Sequence, residues 1–176
     1  MKRKFFLLLY YGLAYHLPDS YAPILGRPSN WLRRMCCHAI FRRCGKIVTV
    51  GRHAYFGNGA EIEIGDDSGL GAYSRFPNNI RIGNHVMMAP EILIIKNNHK
   101  FDDPAIPIGQ QGPKTAPPVV INDNVWIGQR VIITPGRNIP AGTVIAAGSV
   151  VTKDFSNQDH IIGGNPAREI KPRINK

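Results

Sequence analysis

The chain has 176 residues, which suits one domain with a modest appendage. It is 43% hydrophobic and 19% charged, enough to fill a core, which excludes global disorder. Its net charge of +10 favours anionic partners, but no nucleic-acid motif accompanies it, so nucleic acid is not expected among them.

At the start, Lys2, Arg3 and Lys4 precede an apolar run from Phe5 to Tyr15. The layout resembles the first two regions of a signal peptide. No small-x-small cleavage site follows, and the run is too short to span a bilayer. The expectation is a helix that packs on the body or touches a membrane surface through residues 1–15.

From Asn30 the pattern is helical, with Trp31, Leu32, Met35, Cys36, Ala39 and Ile40 on one face. Ser29 or Asn30 suits its cap and Gly45 its end. Arg33, Arg34, Arg42 and Arg43 read as a solvated basic face. Cys36, Cys37 and Cys44 are odd in number and clustered, a poor disulfide framework and a poor zinc site. Reduced thiols in the cytosol are expected. Residues 1–45 thus form a hydrophobic, basic helical segment.

Residues 46–176 form the second unit, and an internal repeat dominates it. Every sixth residue from Ile64 is apolar: Ile64, Leu70, Phe76, Ile82, Met88 and Ile94. The same holds for Ile121, Ile127, Ile133, Ile139, Ile145 and Val151. Val50 and Phe56 extend the pattern backwards, with a two-residue offset near Ile62. A period of six fits neither a helix nor an alternating strand. It fits a three-sided coil in which one apolar residue per side points inward and eighteen residues make a turn. Gly65, Gly71, Gly83 and Gly128 follow the repeat residue, and a corner there would need their turn geometry. The repeat lengths give about three coils over 46–99 and about two over 121–155. The Pro- and Gly-rich stretch 100–118 interrupts the repeat, and a loop of that length tends to be functional. A turn and a basic tail close the chain.

The stretches IGNHVMMAPEILIIKNNH, INDNVWIGQRVIITPGRNIPAGTVIAAGSVVTKD and GGNPAREIK resemble the hexapeptide-repeat acyltransferases, closest to the galactoside, maltose and polysaccharide O-acetyltransferase branch. The resemblance covers roughly residues 46–173. It implies a mainly β fold: a left-handed parallel β-helix, or triangular prism, with an N-terminal helical segment, a protruding loop and a short C-terminal tail or helix. It implies acetyl-CoA as acyl donor, no metal, a carbohydrate acceptor, and a homotrimer with active sites between subunits. The hydrophobic basic start resembles members that decorate capsule or lipopolysaccharide. The expected location is cytoplasmic, with peripheral membrane contact open.

Acetyl transfer to a hydroxyl needs a base and an oxyanion donor. Of six histidines, His16 and His38 lie outside the repeat, and His85 occupies a turn facing solvent. His99 ends the first repeat block in NNHKFDD, where the resembled family keeps its catalytic histidine; position alone fits a surface histidine equally well. Asp102, Asp103 or a loop carbonyl would orient its ring. By motif match Gln129, Ala147, Thr152, Lys153, Arg168 and Lys171 would contact the cofactor. Trp126 would pack near the cofactor and His99, or serve structural packing. Asn78, Asn79 and Asn84 are acceptor-binding candidates, with corner turn chemistry the competing role for Asn84. Arg137 sits where the repeat favours a small residue, so emergence at a subunit boundary is expected.

Three other readings compete. A zinc carbonic anhydrase uses the same prism but needs converging histidines, and no His-x4-His pair lies near His99. A catalytically inactive structural trimer keeps the fold alone. An antibiotic or amino-sugar acceptor would use the same base.

Overall fold

The computed structural model describes residues 2–173, so the last three positions of the expected basic tail lie outside the described residues. Two helices, α1 (Lys2–Gly12) and α2 (Gly26–Ile40), cap one end of a column of two-residue strands. The column is a left-handed parallel β-helix with about six turns.

Its three faces can be read from the strand register. The first stacks Arg43–Cys44, Glu63–Ile64, Arg81–Ile82, Val120–Ile121 and Asn138–Ile139. The second runs from Thr49–Val50 through Gly69–Leu70, Met87–Met88, Trp126–Ile127 and Val144–Ile145 to His160–Gly164. The third stacks Tyr55, Arg75, Leu93–Ile94, Ile132–Ile133 and Val150–Val151. Glu63 pairs with Arg81 and Val120 with Asn138, eighteen residues apart by their numbers. Arg43 pairs with Glu63 and Thr49 with Gly69, twenty apart, which places the two-residue offset in the first coil.

The twelve repeat residues point inward as expected, and all are buried except half-buried Met88. A second inward position lies two residues earlier, filled by Ile62, Ile80, Val86, Ile92, Val125 and Val131. Each fully buried Ile or Val stabilises the column by about 1.5–3 kcal/mol before entropy is counted. Ser68, Ser74, Thr143 and Ser149 share that second position. Their hydroxyls are satisfied: Ser68 Oγ donates to the Gly83 carbonyl at 2.7 Å and accepts from the Val86 N–H at 3.0 Å.

The glycine expectation is corrected. The left-handed backbone falls three residues after the inward residue, at Asp67, Tyr73, His85, Glu91, Asn124 and Arg130. The glycines that directly follow the repeat residue serve close approach instead. A Cβ on Gly128 would stand 2.6 Å from the Ala147 nitrogen of the next coil.

The amino-terminal expectations hold for the first helix and change for the second. The apolar run forms α1 and packs on the body: Tyr10 Oη donates to the Ala54 carbonyl at 2.7 Å and Tyr11 Oη to Gly57 at 2.8 Å. α2 starts at Gly26 and ends at Ile40, and it buries Ser29, Arg33, Cys36, Cys37 and Ile40 while Trp31 is 62% exposed. Arg33 is therefore no part of a solvated face. Its guanidinium reaches the carbonyls of Val50, Ala14, Leu17 and Pro18 and the Ser20 hydroxyl at 2.7–3.3 Å. Burial lowers its pKa, against the opposing pull of Tyr10 and Asp19. At the far end, the expected tail or helix is an antiparallel hairpin of His160–Gly164 with Ala167–Pro172. Among the described residues, no helix is long and apolar enough to cross a membrane.

Candidate active site

The third face turns toward the first at residues 95–98, and there the chain leaves the column. His99 lies at that exit, in the strand Asn98–His99, which pairs antiparallel with Pro113–Lys114. The stretch 100–118 is a protruding arm held by its own polar groups. Gln111 Nε2 donates to the Asp103 and Ile106 carbonyls at 2.8 and 2.7 Å. Lys114 Nζ lies 3.7 Å from the Asp102 carboxylate. The Asp103 carboxylate accepts from the Ala105 N–H at 2.9 Å. Neither carboxylate contacts the His99 ring, which is exposed and has no hydrogen-bond partner among the described residues.

One corner of the column gathers several candidates. Lys96, three residues before His99, donates to Asn78 Oδ1 at 2.8 Å, one coil below. Asn79 follows, and its Oδ1 is buried without a hydrogen-bond partner among the described residues. Thr152 and Lys153 occupy the same corner two coils above, both exposed. Arg137 lies between them and the loop, half-buried; its guanidinium meets the Thr152 carbonyl at 3.4 Å and Asp154 at 3.6 Å.

The other candidates line the second face and its far corner. Trp126 lies on that face, 52% exposed, between Met87 and Val144. Gln129 and Ala147 stack on the corner beyond it, and Arg168 and Lys171 lie exposed on the hairpin strand. Gln129 Nε2 donates to Glu91 Oε2 at 2.9 Å, as does Arg130 Nε at 2.6 Å. Arg130, first among the causes, and Gln129 hold the Glu91 carboxyl below its ordinary value. Glu91 was missed in the sequence; it lies thirty-nine residues before Arg130, and the two stack one coil apart only once a 21-residue insertion is added to the coil of eighteen.

Two grooves of about 400 Å³ each run along the second face and meet at Met87. Gly51, Gly69 and Gly71 leave the floor of one bare. Trp126, Val144 and Arg173 line the other.

Asn84 is not brought to either group. It belongs to a ladder on the remaining corner, where each side-chain oxygen accepts an N–H from the coil below. Asp66 Oδ1 takes Lys46 N at 2.7 Å, Asn84 Oδ1 takes Asp66 N at 2.9 Å, and Asp123 Oδ1 takes Asn84 N at 2.7 Å. Within one chain, then, the candidates other than Asn84 fall into two groups, one at the His99 corner and one on the second face and the corner beyond it, with the third face between the two corners.

A three-sided column of short parallel strands behind an N-terminal helix is the architecture of the hexapeptide-repeat acetyltransferases. No family profile matches the chain. A solved maltose O-acetyltransferase from Clostridium difficile 630 is 32% identical, with a TM-score of 0.75 over 97% of this chain and 86% of its own. The galactoside O-acetyltransferase of Escherichia coli K12 is 31% identical over 138 residues, 75% of this chain and 64% of the relative. A hexapeptide-repeat acetyltransferase from Vibrio cholerae, solved with acetyl coenzyme A, shares the fold at a TM-score of 0.73 and 24% identity over 99% of this chain and 86% of its own. The chain belongs to the hexapeptide-repeat acyltransferases, in the branch of the galactoside and maltose O-acetyltransferases. It spans between 42% and 64% of the length of the first curated relatives that it matches.

Proposed function

We propose that this protein transfers an acetyl group from acetyl-CoA to a sugar hydroxyl, with His99 as general base. The observation that carries the reading is the position of His99: exposed, unpartnered and at the root of the arm. The imidazole would take the hydroxyl proton as the sugar oxygen forms a bond to the thioester carbonyl carbon. A backbone N–H would hold the oxyanion. The carbonyl re-forms, the C–S bond breaks, and the imidazolium returns its proton to the departing thiolate.

Asp102 and Asp103 are engaged within the arm, which favours a backbone carbonyl as the group that orients the ring. Trp126, Gln129 and Ala147 would border the pantetheine arm, which suits the second-face groove. Thr152, Lys153, Arg168 and Lys171 would meet the polar half of the cofactor, and the three cations among them suit its phosphates. Asn78 and Asn79 would meet the acceptor, and the unpartnered Asn79 oxygen has an open hydrogen bond to offer. Asn84 would reach an acceptor only by leaving its ladder.

The split of the candidates over two corners supports a homotrimer, in which the His99 corner of one copy meets the second-face corner of the next. A cytoplasmic location accords with the cysteine usage and belongs to the same proposal.

An acceptor panel tests the reading. Purified protein and acetyl-CoA should shift a nucleotide sugar or oligosaccharide by the mass of one acetyl group. A shift confined to an antibiotic or amino sugar would move the acceptor assignment, and no shift on any acceptor would contradict the reading.

A further inference from the structure

The charge of the chain is concentrated at one end. Residues 1–60 hold ten Lys or Arg and one acid, Asp19; the remainder holds twelve basic and eleven acidic residues. Nearly all of the net +10 therefore resides in the helical cap and the first coil. Lys2, Arg3, Lys4, Arg27, Arg43 and Lys46 are exposed there.

The same cap exposes apolar side chains. Phe5 and Leu8, three residues apart on one side of α1, are 61% and 73% exposed, while Tyr10 is fully buried against the body. Ile24 is 88% exposed and Trp31, on α2, 62%. Apolar surface beside unopposed cations is the combination that binds the boundary of an anionic bilayer. A helix of eleven residues is about 16 Å long, which suits lying in that boundary and not crossing it.

We infer that the capped end of the column docks on an anionic lipid surface. Phe5 and Leu8 enter between the headgroups, and the Lys2–Arg3–Lys4 cluster faces the lipid phosphates. The inference goes beyond acyl transfer and stands on different residues, so either can fail without the other. If three parallel columns assemble, three caps share one plane and their weak contacts reinforce each other.

The test is co-sedimentation of the full chain with vesicles of phosphatidylcholine, alone or with about one-third phosphatidylglycerol. Binding is expected only to the anionic vesicles, with release at about 0.5 M salt. Charge reversal at Lys2, Arg3 and Lys4 to Glu should weaken it about a hundredfold. The pair Phe5→Ser and Leu8→Ser should weaken it at least about tenfold. Circular dichroism matching the parent separates lost docking from lost fold. Absence of binding to either vesicle, or equal binding by the variants, would overturn the inference. So would equally tight binding of inorganic polyphosphate that ignores the serine pair, or a fall in solution mass in that pair, which would assign the stripe to a second copy.

Discussion

Arg33 Nε donates to the Val50 carbonyl at 2.7 Å, a bond that ties the second helix to the first coil of the column. The rest of its guanidinium holds the 14–20 connection, so one side chain fastens three segments. Arg33→Met keeps the stem and removes every donor. The carbonyls left behind and the lost charged hydrogen bonds should cost about 3–5 kcal/mol. Urea unfolding checks this, and a loss under about 1 kcal/mol would show that water replaces the guanidinium freely.

Gly128 and Gly148 separate the two uses of glycine. Gly128→Ala drives a methyl group into backbone at Ala147 and should lower stability by about 1–3 kcal/mol. Gly148 has φ of +72° with open space around it, so Gly148→Asn, a residue that tolerates this region, should stay within about 1 kcal/mol of the parent. Thermal melts of the two variants should differ clearly, and equal melts would contradict the close-approach account.

His53 stacks on Tyr73 at 5.2 Å and packs against Tyr15 and His16. Burial first, then Arg52, His16 and Arg33, lowers its pKa below the ordinary histidine value. The folded state therefore binds this proton less well than the unfolded chain. The resulting stability is complete above about pH 6.5 and is lost as pH falls through the lowered value. Between pH 7.5 and 5.5 the melting temperature should fall less in His53→Asn than in the parent. Parallel profiles would assign the acid sensitivity to another group.

A site built from two corners of two copies makes a prediction about mixtures. His99→Ala and a variant disabled at the other corner, Trp126→Ala with Gln129→Ala, should each lack activity. Co-refolded at equal amounts, they should regain about a quarter of the parental sites, since a random neighbour pair is intact that often. A mixture that stays inactive would place the whole site within one chain.

Much of this was legible before the fold. The sixfold apolar residues and the offset near Ile62 map directly onto the column, because an inward position tolerates little else. The second inward position was hidden, because Ser68, Ser74, Thr143 and Ser149 alternate there with Ile and Val, and their hydroxyls find partners only once the coil has turned, in the neighbouring coil for Ser68 and Ser74 and on the carbonyls of Pro140 and Ala146 for Thr143 and Ser149. Arg33 was misread because its acceptors come from residues far along the chain, and composition cannot show carbonyls converging on a guanidinium. For the site, the motifs named residues but not corners. Counting in steps of eighteen, with the loop removed, would have separated Asn78 and Thr152 from Gln129 and Ala147. The partners of His99 were beyond reach, because its orientation depends on the arm and on neighbouring copies.

Thiol release from acetyl-CoA in the presence of a sugar acceptor addresses the base directly. The parent should release thiol in proportion to acceptor, and His99→Ala, with an unchanged melting temperature, should lose about 10²–10⁴-fold in rate. Equal release by the alanine variant would show that the imidazole at the root of the arm takes no proton in the reaction.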